Sequence, residues 1–135
     1  MTGKEQIPLK IIVLDDDAVQ ISMFNNVLYH QYKDHDVELL FVSDGDAALD
    51  RIERSPGHPT LLITDINHPG ADGLTLARIC KAKFPAVTVL IQTAFAGDEY
   101  RESVTMHADF ILQKPYKIGQ LTDIIDQLLK RQDSK

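Results

Sequence analysis

Polar and charged side chains stand at the ends of four separate apolar stretches of the sequence. They are Asp15, Asp16 and Asp17 after residues 9–14, Asp65 and Asn67 at the end of residues 60–66, Thr93 after residues 87–92, and Lys114 after residues 109–113. A carboxylate at the end of a buried segment loses hydration, which costs free energy unless something there requires the charge. The types of these side chains indicate which ligand or reaction requires the charge.

Carboxylates that a fold brings together need a cation. Two unit charges about 4 Å apart interact by roughly 4 kcal/mol at an effective dielectric constant of about 20. Lys114 neutralises one charge, and the remainder favours a hard divalent ion. Mg²⁺ fits, because it takes one or two carboxylates and keeps several waters or phosphate oxygens. We expect Asp15 and Asp16 to hold it beside Asp65, with a loop carbonyl such as that of Asn67.

The chemistry that such a site supports is phosphoryl transfer to a carboxylate. A carboxylate beside the cation can act as a nucleophile toward phosphorus. We assign this role to Asp65, because the apolar strand before it fixes its direction. The metal and Lys114 would offset charge on the phosphoryl oxygens, and Thr93 would donate a hydrogen bond.

The elements that must position these residues are five strands alternating with helices. The strands are predicted at residues 9–14, 37–42, 60–66, 87–92 and 109–113, and the helices at residues 18–32, 46–54, 73–84, 98–107 and 117–131. The strands are continuously apolar, which is typical of a parallel sheet covered on both faces. The order predicts a doubly wound α/β fold whose sites lie beyond the carboxyl ends of the strands.

Composition sets the remaining limits. The chain has 135 residues, which suits a single domain over residues 1–135. Its net charge of −6 argues against direct nucleic-acid binding. No apolar run is long enough for a membrane span and no signal peptide is visible, so we expect a cytoplasmic protein. Cys80 is the single cysteine, and we expect it to be a buried spacer in a helix.

Each of these polar residues also has a purely structural explanation. Asp17 is expected to cap the first helix, because aspartate accepts hydrogen bonds from helix N-termini. Asp65 would suit a turn, and Thr93 an ordinary strand end. Their occurrence together, at the ends of different strands, is what favours a site.

These motifs together resemble the receiver domains of two-component response regulators. The resemblance covers about residues 8–131 and rests on four segments, which are IIVLDDD, LLITDINHPGADGLTLA, VLIQTA and QKPY. It implies a flavodoxin-like fold with five helices and a five-stranded parallel sheet in the order 2-1-3-4-5. It also implies signal transduction through a two-component system or phosphorelay.

The resemblance implies a role for each site residue. Asp65 would accept a phosphoryl group from a histidine kinase or phosphotransfer protein, with Thr93 and Lys114 contacting that group. The metal set would be Asp15, Asp16, Asp65 and Asn67, with Asp16 a direct ligand and Asp15 acting through water. A downstream protein or output domain would respond to a surface made by residues 98–107, 109–113 and 117–131, which also allows a homodimer.

Two positions depart from the usual receiver pattern. Receivers commonly carry an aromatic residue three positions before the lysine, where this chain has Ile111, with Phe110 one place earlier. The resemblance therefore gives no expectation on whether the usual switching of an aromatic rotamer operates in this chain. Phe95 is bulky where smaller residues are common, and we expect it to slow hydrolysis of the aspartyl phosphate. The family also implies a cis peptide bond between Lys114 and Pro115.

Two other functions fit parts of the sequence. Residues 15–19, DDDAV, match the Asp-x-Asp-x-Thr/Val motif of haloacid-dehalogenase-like phosphatases, with Asp15 as nucleophile and Asp17 as general acid. The lysine of that family precedes its late acidic motif, whereas Lys114 follows the acidic residues 97–102 here. The other function is a receiver-like module that binds partners without phosphorylation.

Overall fold

The computed structural model of the chain describes residues 8–15, 17–65, 73–93, 107–114 and 116–133. Its strands are β1 (Leu9–Leu14), β2 (Val37–Val42), β3 (Thr60–Asp65), β4 (Val87–Thr93) and β5 (Phe110–Gln113). Its helices are α1 (Ala18–Tyr32), α2 (Gly45–Arg54), α3 (Gly73–Lys83) and α4 (Ile118–Asp133).

The five strands form one parallel sheet in the order β2-β1-β3-β4-β5. The five strands predicted from the apolar runs are confirmed, and so is the order that the resemblance to receiver domains implies. The described residues contain four helices rather than the five expected. The expected helix at residues 98–107 lies outside the described residues except for its last position.

The sheet separates two apolar cores. The core on the side of α1 and α4 includes Ile11, Val13, Ile63, Leu90, Leu28 and Ile125, and the core on the side of α2 and α3 includes Ile12, Leu14, Leu62, Ile91, Ile52 and Leu76. Since both faces of β1, β3 and β4 are covered, these strands show no alternation of apolar and polar residues. The edge strands β2 and β5 are partly exposed.

Aspartates begin two of the helices. The Asp17 carboxylate accepts a hydrogen bond from the Val19 amide at 2.9 Å, and the Asp44 carboxylate accepts one from the Ala47 amide at 2.8 Å. Each satisfies a backbone donor that the first turn of a helix leaves free. The capping role predicted for Asp17 is confirmed.

Two further expectations concern Cys80 and membranes. The Cys80 side chain is buried in the core beside α2 and α3, as predicted. Among the described residues, no helix is long and apolar enough to span a membrane. The expected cytoplasmic location stays a prediction.

Candidate functional site

The carboxyl edge of the sheet collects the polar residues that the sequence singled out. Asp15 directly follows β1, Asp65 ends β3, Thr93 ends β4, and Lys114 directly follows β5. Because the strands are parallel, these ends lie at the same edge of the sheet. Four of the six candidate site residues thus lie at this edge, and their roles stay predictions.

Asp65 and Lys114 are in direct contact. The Lys114 Nζ lies 2.9 Å from the Asp65 Oδ1, and the two side chains remain 33% and 29% exposed, respectively. The Lys114 amide also donates to the Thr93 carbonyl oxygen at 2.8 Å, which ties the lysine backbone to the end of β4. An ammonium group is thus held against a carboxylate that solvent and a substrate can still reach.

Asp15 is the buried acid of this edge, with only 6% of its surface exposed. Its Oδ1 accepts a hydrogen bond from the Asp17 amide at 2.9 Å. Burial raises the pKa of Asp15 above its usual value, and the nearby charge of Asp65 raises it further, while the Asp17 amide and the Lys114 ammonium oppose both. Ionisation of Asp15 therefore costs more in the protein alone than in water, and a cation beside it would relieve that penalty.

The donor chemistry of this edge suits a hard cation. Asp15 and Asp65 supply carboxylate oxygens, and Mg²⁺ needs only one or two protein carboxylates. The described residues contain no cluster of three or more acidic, histidine or cysteine side chains placed to hold a metal. Asp16 and Asn67, the other expected ligands, lie outside those residues, as do Phe95 and Pro115.

Sequence reasoning missed two residues of this edge, Gln92 and Tyr116. Gln92 is 1% exposed, and its Oε1 accepts a hydrogen bond from the Tyr116 hydroxyl. Burial raises the pKa of Tyr116 to about 12, with smaller contributions from the charges of Asp65 and Asp15. The signal available in the sequence was a single glutamine within an apolar strand, which does not reveal its partner.

The departure from the receiver pattern at Ile111 is visible in β5. The Ile111 side chain is 41% exposed, whereas Phe110 packs against the core beside α1 and α4. The aromatic ring of this strand thus contributes to the core, and an aliphatic side chain faces solvent at the position that is usually aromatic.

The phosphatase alternative needs Asp17 as a general acid near the reacting group. Asp17 is exposed, and its carboxylate is engaged by the Val19 amide at the start of α1. The carboxylate that this alternative needs for proton transfer therefore caps a helix.

Comparison with known proteins gives one consistent family. The family described as "Response regulator receiver domain" matches residues 11–126. The chain is 26% identical over 124 residues to the sensor kinase CckA of Brucella abortus, covering 91% of this chain and 13% of that protein. It is 29% identical over 116 residues to the response regulator FleR of Pseudomonas aeruginosa, covering 85% of this chain and 23% of that protein.

A solved structure supports the fold. The response regulator TrrA of Thermotoga maritima, crystallised with Mg²⁺ and BeF, superposes with a TM-score of 0.72 at 24% identity, covering 88% of this chain and 97% of that one. The chain spans less than a quarter of the length of CckA and of FleR, so it corresponds to one part of those proteins.

Proposed function

The chain belongs to the response regulator receiver domain family, and on this premise we propose that Asp65 accepts a phosphoryl group from the phosphohistidine of a sensor kinase or phosphotransfer protein. Members of this family are phosphoacceptors and not enzymes. The observation that carries the assignment of Asp65 is its 2.9 Å contact with Lys114 at the carboxyl edge of the sheet, next to the buried Asp15.

In the proposed transfer, a carboxylate oxygen of Asp65 attacks phosphorus. The new oxygen–phosphorus bond forms as the nitrogen–phosphorus bond of the phosphohistidine breaks, and the imidazole nitrogen keeps the bonding electron pair and takes a proton from solvent. Lys114, which contacts the Asp65 carboxylate before transfer, would form an ion pair with the phosphoryl oxygens afterwards. Thr93, at the end of the adjacent strand, donates a hydrogen bond from its hydroxyl to an oxygen of the same phosphoryl group.

We propose that Mg²⁺ is the cofactor, held by Asp15, Asp16, Asp65 and the carbonyl of Asn67. When bound, the ion offsets negative charge on the phosphoryl oxygens. The raised pKa of Asp15 supports this assignment, because an acid kept buried beside another acid is otherwise a cost to the fold. The Mg²⁺ present in the TrrA structure is a second, weaker support from a relative.

Phosphorylation would act by shifting the protein between two conformations. We place the responding surface on residues 98–107, β5 and α4, where a downstream protein, an output domain or a second copy of the chain would bind. The names of the relatives include a sensor kinase and a response regulator, which supports partners of both kinds. The net charge of −6 remains the reason to expect no direct contact with nucleic acid.

The experiment is incubation with Mg²⁺ and acetyl phosphate, followed by intact-protein mass spectrometry. We expect the gain of one phosphoryl group, its loss in Asp65→Asn, and its retention in Asp17→Asn, where asparagine still caps α1. Continuous release of phosphate that depends on Asp15 and Asp17 would identify a phosphatase instead. A wild-type protein that gains nothing would be a binding module that works without phosphorylation.

A further inference from the structure

Gln92 stands beside the acid that we propose to be phosphorylated. Asp65 and Gln92 are aligned partners on the adjacent strands β3 and β4. Side chains of aligned residues in a parallel sheet lie on the same face. Here it is the face of α1 and α4, since Ile63 and Leu90, two residues earlier on each strand, pack in that core.

The register with β5 places Gln92 on the strand between Asp65 and Lys114. Its aligned partner on β5 is Leu112, and Lys114 follows two residues later. The lysine side chain reaches back to Asp65, with 2.9 Å between Nζ and Oδ1. Gln92 therefore occupies the strand between the two members of the ion pair.

Within the described part of the chain, the carboxamide of Gln92 has a hydrogen-bond partner at only one end. Its Oε1 accepts from the Tyr116 hydroxyl, but its buried Nε2 has no hydrogen-bond partner among the residues that the structure describes. Buried polar groups without partners are rare and destabilising, so each one calls for an explanation. The side chain is 1% exposed, which excludes bulk water as the routine partner.

Tyr116 fixes the direction of this donor. Its hydroxyl donates to the Gln92 Oε1, so the carbonyl end of the carboxamide faces the tyrosine and the two Nε2 hydrogens face away from it.

We propose that Gln92 stabilises the phosphorylated state. In that state its Nε2 donates a hydrogen bond to an oxygen of phosphorylated Asp65. This inference rests on the proposed function. A phosphoryl group brings three strong acceptor oxygens and more negative charge than the carboxylate it modifies. The Nε2 donor, which has no partner among the described residues before transfer, gains one afterwards, so Gln92 favours the phosphorylated form over the free form.

The test uses beryllofluoride, a mimic of the aspartyl phosphoryl group, added in Mg²⁺ buffer and followed by nuclear magnetic resonance titration. The informative protein is the double variant Gln92→Leu, Tyr116→Phe, because replacing both partners with apolar groups leaves no orphaned atom. We expect it to bind beryllofluoride about tenfold more weakly than wild type while its melting temperature is equal or higher.

Two single variants complete the design. Tyr116→Phe keeps the Nε2 donor, so it should lose melting temperature but lose less beryllofluoride affinity than the double variant. Gln127→Leu, at an exposed glutamine of α4, should leave both quantities unchanged. In wild type, the side-chain amide proton signal of Gln92, assigned by its absence in the double variant, should move downfield when beryllofluoride binds.

The outcomes separate the two proposals. A wild-type protein that does not bind beryllofluoride refutes the proposed function itself. If wild type binds but the double variant binds equally well, or if affinity and melting temperature fall in parallel, Gln92 is only a packing residue and the inference is wrong. An unmoved Gln92 amide signal would also overturn it.

Discussion

Removing the hydroxyl of Tyr32 should delete one defined hydrogen bond between α1 and α4 and lower the stability of the protein. Tyr32, the last residue of α1, is 3% exposed. Its hydroxyl lies 2.9 Å from the Asp126 Oδ1 and 3.1 Å from the Thr122 carbonyl oxygen, both in α4. A hydroxyl has one proton, so its principal bond is the shorter one to the charged carboxylate. The change Tyr32→Phe deletes this bond and preserves the ring.

The magnitude follows from the exposure of the acceptor. A hydrogen bond to a charged group contributes roughly 1.5–3 kcal/mol to stability. Asp126 is exposed, so water can replace the lost donor, and the lower end of this range applies. We therefore expect Tyr32→Phe to lower the free energy of unfolding by about 1.5 kcal/mol and the melting temperature by about 5 °C.

Urea unfolding followed by circular dichroism measures this difference. Tyr29→Phe is the matched control, because Tyr29 lies on the same helix with 60% of its surface exposed. The control should stay within about 0.5 kcal/mol of wild type. If Tyr32→Phe is no less stable than Tyr29→Phe, the hydroxyl does not join the helices and the reasoning is refuted.

The same hydroxyl predicts how stability depends on alkaline pH. Burial and then Asp126 raise the pKa of Tyr32 above its usual 10.0. Above pH 10 the unfolded chain has released this proton while the folded chain retains it, so stability must fall as pH rises. Tyr116 adds a similar contribution up to its pKa of about 12. Unfolding free energies measured from pH 9 upward should therefore fall less steeply in Tyr32→Phe.

Two further predictions concern Asp15 at the carboxyl edge of the sheet and Cys80 in the core. Asp15→Asn should raise the melting temperature by about 3 °C at pH 7 without Mg²⁺. The folded pKa of Asp15 lies above 3.8, so its stabilising contribution is present below pH 3.8 and lost as pH rises. The exposed Asp34→Asn serves as control, and a lower melting temperature in Asp15→Asn would contradict the expectation. Burial raises the pKa of Cys80 to about 11, which leaves less of the reactive thiolate at pH 8. We expect Cys80 in the folded protein to react with a disulfide reagent about 100-fold more slowly than in the chain unfolded by urea. Equal rates would disprove this.

The fold was predictable because its signals are local and strong. Three inner strands covered on both faces must be apolar throughout, and that produced apolar runs that are readable in the sequence. Parallel strands joined by helices leave few arrangements, so the shared edge of Asp15, Asp65 and Lys114 followed from the order of elements.

The hydrogen-bond partners were not predictable, because they depend on register and on distant segments. The Tyr32 hydroxyl meets Asp126 across 94 residues, and Gln92 meets Tyr116 across 24 residues. The periodicity of a helix carries no information about the partner of a tyrosine hydroxyl. The partial exposure of β2 and β5 was missed for a related reason, since being at an edge is a property of the whole sheet.

The order of the strands also has a consequence for how the chain is made. After β3 forms, β4 and β5 join the sheet one after the other on the same side, in the order in which they leave the ribosome. A nascent chain that ends after α3 would expose the unpaired edge of β3, where Leu61, Leu62 and Ile63 are fully buried in the complete sheet. Such an edge is a template for aggregation. A chain released after residue 84 therefore presents an edge that the complete protein pairs, which favours misassembly.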